Sequence, residues 1–447
     1  MIDTILITGA TLPGGSQSDI LVAGGVIREL GSIAAPAGSR RIDAAGLVAL
    51  PGLVDLHTHL REPGFEQSET VLTGSQAAAA GGFTSIFAMA NTLPVADTAG
   101  VVEQVLSLGQ QAGYATVRPI GAVTRGLLGE QLSEIGAMAH SRAAVRVFSD
   151  DGKCVHDSLL MRRALEYVSS FDGVIAQHAQ DPRLTEAAQM NEGSLSSELG
   201  LKGWPAVAEE SIIARDVLLA EHVGARLHIC HLSTAGSVEV IRWAKARGIR
   251  VTAEATPHHL LLTEDLVRSY DARYKVNPPL RRDEDVLALR AAIADGTIDI
   301  IATDHAPHPS ESKECEWDSA AFGMVGLESA LSVVQTALVD TNLVGWNDVA
   351  RLLSATPAAI GGLIGAGAIR AGAAADITLH DPSTSSVFDV TDLAGKSVNS
   401  PYLGRQLSGS VRYTLHNGYL TLDDGLVVPA EVVAASARAG SQMEMGE

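Results

Sequence analysis

An α/β fold, a TIM (β/α)8 barrel with a small β-sandwich formed from both chain ends, is predicted by three features of the 447-residue sequence. Across residues 51–365, short apolar strands alternate with alanine-rich or amphipathic helical stretches, the order that gives parallel strands joined by crossover helices. Residues 1–50 and 366–430 carry only short strands and glycine turns, too little to hold separate cores. An apolar fraction of 46% with 44 glycines fits a compact α/β chain. An open doubly wound sheet is the structural alternative.

In chain order, Thr4–Thr8, Asp19–Val22, Val26–Leu30 and Leu47–Leu50 read as the first strands. The barrel strands are expected at Leu53–His59, Phe83–Met89, Thr116–Val123, Ala144–Ser149, Val174–His178, Arg226–His231, Arg250–Glu254 and Ile298–Asp304. Helices are expected at Ser68–Ala80, Ala99–Gln111, Asp157–Ser169, Ala208–Glu221, Ser237–Arg247 and Asp283–Ala294. Strand and turn character returns at Gly367–Gly372, Ala375–Leu379, Ser410–Leu415 and Tyr419–Leu422, which are expected to partner the N-terminal strands. Residues 434–447, rich in Ala, Ser, Gly and Glu, read as a disordered tail.

A net charge of −20 speaks against nucleic acid or an anionic membrane as partner. Cys154, Cys230 and Cys315 are too few and scattered for a disulfide framework, and free thiols fit a cytoplasmic location. Met1-Ile2-Asp3 offers no basic leader, and the apolar runs are interrupted before they could span a bilayer.

Barrel enzymes gather their chemistry at the C-terminal ends of the strands. Here the first strand ends in His57 and His59, the fourth in Asp150-Asp151-Gly152, the fifth in His178, the sixth in His231 and the eighth in Asp304. With only 14 histidines in the chain, this clustering of imidazole and carboxylate, without a cysteine pair, suits a catalytic zinc or similar divalent ion. Arg61 follows on the same side, where its planar guanidinium could grip a carboxylate at two points, although an ordinary salt bridge with Glu62 or a neighbour is the plain alternative. Asn91 and Asn277 could supply amide hydrogen bonds. His308 opens a long loop through Lys313 and Cys315 to Phe322-Gly323, a candidate lid. His228, by strand parity, is assigned to packing, and His258-His259 to support.

On Asp55–Gly64, Phe148–Gly152, Thr303–His308 and Phe322-Gly323, the chain resembles the amidohydrolase superfamily and, within it, the bacterial type I dihydroorotases. The resemblance extends to about Asp381. It implies reversible, metal-dependent cyclisation of N-carbamoyl-L-aspartate to L-dihydroorotate in pyrimidine biosynthesis, with one or two zinc ions per subunit. It further implies that His57, His59 and Asp304 bind one metal, that Asp151 bridges, and that His178 and His231 complete a second position. Asp304 would be the catalytic acid/base, and His59, Arg61, Asn91, Asn277, His308 and the Phe322-Gly323 backbone would hold substrate. A homodimer is implied, as is possible association with aspartate carbamoyltransferase. Relatives that use a carboxylated lysine as bridge differ here, since Asp151 stands at that strand end and Lys153 is displaced by two. The alternatives are another cyclic amidohydrolase, of hydantoinase or allantoinase type, and a non-catalytic scaffold subunit.

Overall fold

The computed structural model describes residues 4–436. The N-terminal strands are β1 (Ile5–Thr11), β2 (Gln17–Ala23), β3 (Val26–Gly31), β4 (Arg40–Asp43) and β5 (Val48–Pro51). Then come β6 (Leu53–Thr58), β7 (Phe83–Ala88), β8 (Thr116–Pro119), β9 (Val147–Phe148) and β10 (Val174–Gln177). A short parallel pair, β11 (Met190–Asn191) and β12 (Gly203–Trp204), interrupts before β13 (Arg226–Ile229), β14 (Val251–Ala255) and β15 (Ile300–Ile301). The chain finishes with β16 (Ile377–Val387), β17 (Gln406–His416), β18 (Tyr419–Asp423) and β19 (Leu426–Val427).

β6-β7-β8 form one parallel sheet and β9-β10-β13-β14-β15 another. Single parallel bridges span both gaps, Gly121 to Phe148 and Thr58 to His305, so the strand order returns to β6. All six expected helices are present between these strands, at Val71–Ala80, Ala99–Ala112, Ser158–Ser169, Val207–Val223, Ala235–Ala246 and Asp283–Ala294. Their apolar faces and the outward strand residues share one large core that includes Val71, Ile86, Leu165, Ile213, Ile241 and Leu289.

Both chain ends meet in one nine-stranded sheet ordered β19-β18-β17-β16-β5-β1-β2-β3, with β4 beside β1. The junction is antiparallel, with Pro51 opposite Ile377 and Val48 opposite His380. Its own core holds Ile7, Ile20, Val22, Ile42, Leu379 and Leu415.

Several features depart from the sequence reading. Most of the expected parallel strands are shorter than read, β9 and β15 at both ends, whereas β14 runs one residue further, to Ala255; at His231 and Asp304 the backbone leaves the extended region, with φ of 30° and 49°. Residues 367–372 form turns rather than a strand, whereas β16 continues past Pro382 by way of a register shift between Asp381 and Ser385. β4 was not anticipated, since Arg40-Arg41-Ile42-Asp43 has one apolar residue. Residues 430–436 are helical, and 437–447, the remainder of the expected tail, lie outside the described residues. No helix among the described residues is long and apolar enough to cross a membrane.

Gly81 shows how tightly the end of the Val71–Ala80 helix packs against the loop at Leu327. A Cβ there would lie 2.1 Å from the Leu327 carbonyl oxygen, which is backbone and cannot rotate away. Gly81→Ala is expected to destabilise the fold by about 1–3 kcal/mol, read as a lower midpoint in denaturant unfolding; an unchanged midpoint would contradict this packing.

Candidate active site

The strand ends place His57, His59, Asp151, His178, His231 and Asp304 together in the interior, all buried. One ligand atom each from His57, His59, Asp151 and Asp304 lies within 4.8 Å of the others, and Asp151 also groups with His178 and His231 at that spacing. Asp151 is therefore common to both halves. His59 Nε2 is 3.1 Å from Asp304 Oδ1 and 3.3 Å from Asp151 Oδ2. His178 Nδ1 is 3.2 Å from Asp151 Oδ1 and 2.9 Å from His231 Nε2. Asp150 turns elsewhere and accepts hydrogen bonds from the Val123 and Thr124 backbone N–H groups at 2.8 and 2.9 Å, so of the two adjacent acids only Asp151 serves the cluster.

The donor set suits a divalent ion. His57 Nε2 lies 3.3 Å from Asp151 Oδ1 and 3.4 Å from Asp304 Oδ1, yet this buried nitrogen makes no hydrogen bond. Side chains aimed at a common point rather than at each other are what shared ligation requires. Charge agrees: burial disfavours the His57 cation, but the Asp151, Glu254 and Asp304 carboxylates outweigh it and raise its pKa well above the ordinary value. For Asp304, burial opposes ionisation, and the charges of His57 and His59 overcome it and hold the carboxyl at about 2. Three buried carboxylates facing imidazoles call for positive charge, which the chain meets only by protonating imidazoles that a bound metal would need neutral.

Three positions beyond those expected support this centre. Glu254, at the end of β14, has Oε1 2.7 Å from His57 Nδ1 and accepts the His231 backbone N–H at 3.1 Å. Its other oxygen is 3.0 Å from His228 Nε2, and His228 Nδ1 is 2.9 Å from Thr252 Oγ1. His228 is thus a partner of Glu254 rather than packing alone; parity counting failed because β13 ends at Ile229 and the backbone turns before His231. Cys230 joins His57 and Glu254 in a third grouping within 4.8 Å, in which Glu254 already lies against His57 Nδ1. Gln180 Oε1 is 2.7 Å from His178 Nε2 and accepts from Asn277 Nδ2 at 3.0 Å, tying a cluster histidine to an expected substrate residue. The polar residue two places past a strand end, in His178-Ala179-Gln180, was its only sequence signal.

The expected substrate residues surround the same mouth. Asn91 Oδ1 is 2.9 Å from His59 Nδ1, while Asn277 Oδ1 is buried with no hydrogen-bond partner. Arg61 donates Nε–H to the Pro307 carbonyl at 3.2 Å, and its Nη2 is 3.4 Å from His308 Nε2. The plain salt bridge with Glu62 does not form: Glu62 accepts the Val71 backbone N–H at 2.8 Å instead. Among the described residues no carboxylate lies within ion-pair distance of Arg61, leaving its guanidinium for an anion. Burial and then Arg61 push the His308 pKa down to about 3, so the ring is neutral and donates Nε2–H to the Phe322 carbonyl at 2.8 Å. His259 is a brace, with Nε2 3.2 Å from the Pro278 carbonyl, while buried His258 Nε2 has no partner.

A family model described as dihydro-orotase-like matches residues 46–237. Dihydroorotase of Leifsonia xyli subsp. xyli is 74% identical, over 95% of this chain and 98% of its own length. The chain belongs to the dihydroorotase family. Other members include dihydroorotase of Streptomyces coelicolor, 64% identical over 94% of this chain and 98% of its own, and that of Mycobacterium tuberculosis, 51% identical over 95% and 99%. The fold is shared with L-hydantoinase of Arthrobacter aurescens, with a TM-score of 0.85 and 24% identity over 96% of this chain and 98% of that one.

Proposed function

We propose that this chain is a type I dihydroorotase, catalysing the reversible cyclisation of N-carbamoyl-L-aspartate to L-dihydroorotate and water in pyrimidine biosynthesis. The observation that carries the reading is the 74% identity to a dihydroorotase over nearly the whole of both chains. The shared carboxylate of Asp151 supports the subtype, since Lys153 is exposed rather than turned into the cluster. The closed strand order and the sheet from both ends support a TIM barrel, residues 51–365, with a β-sandwich unit from 1–50 and 366–430.

His57, His59 and Asp304 would hold one zinc ion, with Asp151 shared and His178 and His231 completing a second position. Bound there, zinc supplies a lowered pKa for water, about 7, and polarises the carbonyl under attack. Asp304, ionised and beside His59, takes the proton of the attacking water and delivers it to the ring nitrogen as the C–N bond breaks. In the biosynthetic direction it returns that proton as the C–N bond forms and water leaves. Arg61, Asn91 and His308 fix the substrate carboxylate, and Asn277 with the Phe322-Gly323 backbone holds the amide edge. The free thiols of Cys154, Cys230 and Cys315 support a cytoplasmic setting. A homodimer, and association with aspartate carbamoyltransferase, complete the proposal and are open to size-exclusion and co-purification measurements.

The deciding experiment is conversion of both compounds by purified protein with zinc measured on the same sample, beside a panel of hydantoin and allantoin. Turnover confined to the panel would overturn the substrate assignment. Arg61→Met is expected to raise KM about 10- to 100-fold with a smaller change in kcat, as loss of a charge-assisted pair implies. Unchanged KM would remove Arg61 from the carboxylate contact.

A further inference from the structure

The loop between His308 and Gly323 carries a buried lysine that the chemistry above does not use. Lys313 is 7% exposed, and its Nζ donates to the Ala321, Gly323 and Lys275 carbonyls at 2.7, 2.8 and 3.2 Å. An ammonium has three N–H donors and no acceptor, and here three carbonyls from two chain segments take them. Among the described residues no carboxylate lies within ion-pair distance. Burial, and then the neighbouring Lys275 charge, lower the Lys313 pKa to about 7, against smaller opposing contributions from Asp271 and Cys315. A lysine placed at that electrostatic disadvantage needs its carbonyl contacts to stay where it is.

Those contacts converge on one short stretch. Gly323 has φ 130°, and its N–H donates to the Lys275 carbonyl at 2.9 Å, so Lys275 and Gly323 are stitched from both sides of the Lys313 ammonium. Asn399, from the C-terminal region, donates to the Gly323 and Ala306 carbonyls at 3.2 and 3.1 Å and accepts the His308 backbone N–H at 3.1 Å. Phe322, between the two clamped residues, lies 4.5 Å below Lys275 Nζ and gives its carbonyl to His308. The space is already full: a Cβ on Gly323 would meet Ala306 Cβ at 2.8 Å and His308 Nε2 at 3.0 Å.

We propose that Lys313 is a positioning residue that holds the 321–323 backbone in place to receive substrate, and so sets substrate affinity without touching the substrate. The inference rests on the reading of Phe322-Gly323 as substrate-contacting. Loss of the clamp leaves the chemical groups at the strand ends in place, because Lys313 contacts none of them. It frees a segment whose ordering must then be supplied by substrate binding.

The test uses Lys313→Met, which removes every donor, and Lys313→Gln, which keeps two. KM for N-carbamoyl-L-aspartate should rise about tenfold in the first and less in the second, with kcat within about twofold of wild type. Limited proteolysis should cleave within 306–323 faster in Lys313→Met, with zinc content and melting temperature held. Unchanged KM and unchanged cleavage would overturn the inference, as would parallel loss of kcat, zinc and melting temperature in both variants, which marks a general structural role. Wild-type protein that does not turn over either compound would instead sink the substrate reading, and the proteolysis comparison would still decide whether Lys313 orders this loop.

Discussion

Asp304→Asn is expected to lower kcat about 10²- to 10⁴-fold in both directions, the span that a positioned general acid–base contributes, while metal content stays near wild type. The asparagine keeps an oxygen where Asp304 Oδ1 now stands, 3.1 Å from His59 Nε2, and cannot take a proton. The substitution therefore separates proton transfer from metal retention. Near-normal turnover would show that another group moves the proton, and loss of metal together with turnover would show that Asp304 acts chiefly as a ligand. The measurement is steady-state kinetics from either compound, with metal analysis of the same preparation.

Glu254→Ala carries the second large effect. The buried carboxylate accepts from the His231 backbone and lies within hydrogen-bond distance of both His57 and His228. Its removal frees the His57 ring to rotate and leaves two buried imidazoles and one N–H without an acceptor. Partners of this kind orient metal-binding histidines, and their loss weakens metal affinity about 10- to 100-fold. Competition with a chelator should show that shift, and Glu254→Gln, which retains an acceptor oxygen, should show less. An affinity equal to wild type in Glu254→Ala would mean that the barrel packing alone fixes His57. Asp151→Ala, by comparison, deletes a carboxylate of the cluster itself rather than a support.

What could be read from the sequence was whatever one strand announces by itself. His57 and His59 stand at the end of an apolar strand, and His178, His231 and Asp304 each follow one, and the fold brings these strand ends together. The supports were harder to see because their partners lie far away in sequence. Asn399 is 91 residues from His308, and nothing near Val398-Asn399-Ser400 marks it as a loop clamp. Lys313 sits among Glu311, Glu314 and Glu316 and reads as a solvated charge run, although the fold buries it. His228 was misplaced because parity assumes an extended backbone, and positive φ at His231 breaks the count. The unexpected length of β16 has the same character, since a proline ends most strands and only the bulge at 381–385 lets this one continue.

The antiparallel seam between β5 and β16 also orders events in time. Val48–Pro51 leaves the ribosome before any of the strands β6 to β15, yet its partner, Ile377–His380, is made only after all of them have been synthesised. At about 5–20 residues per second, the edge of β5 waits many seconds with unpaired backbone groups, the condition under which strands find wrong partners. The early strands β1, β2 and β3 are antiparallel neighbours and can pair at once, occupying part of that interval. The last stretch of the chain thus acts as the fastener for the first, and a nascent chain stopped short of β16 carries an open sheet edge beside an otherwise complete set of parallel strands.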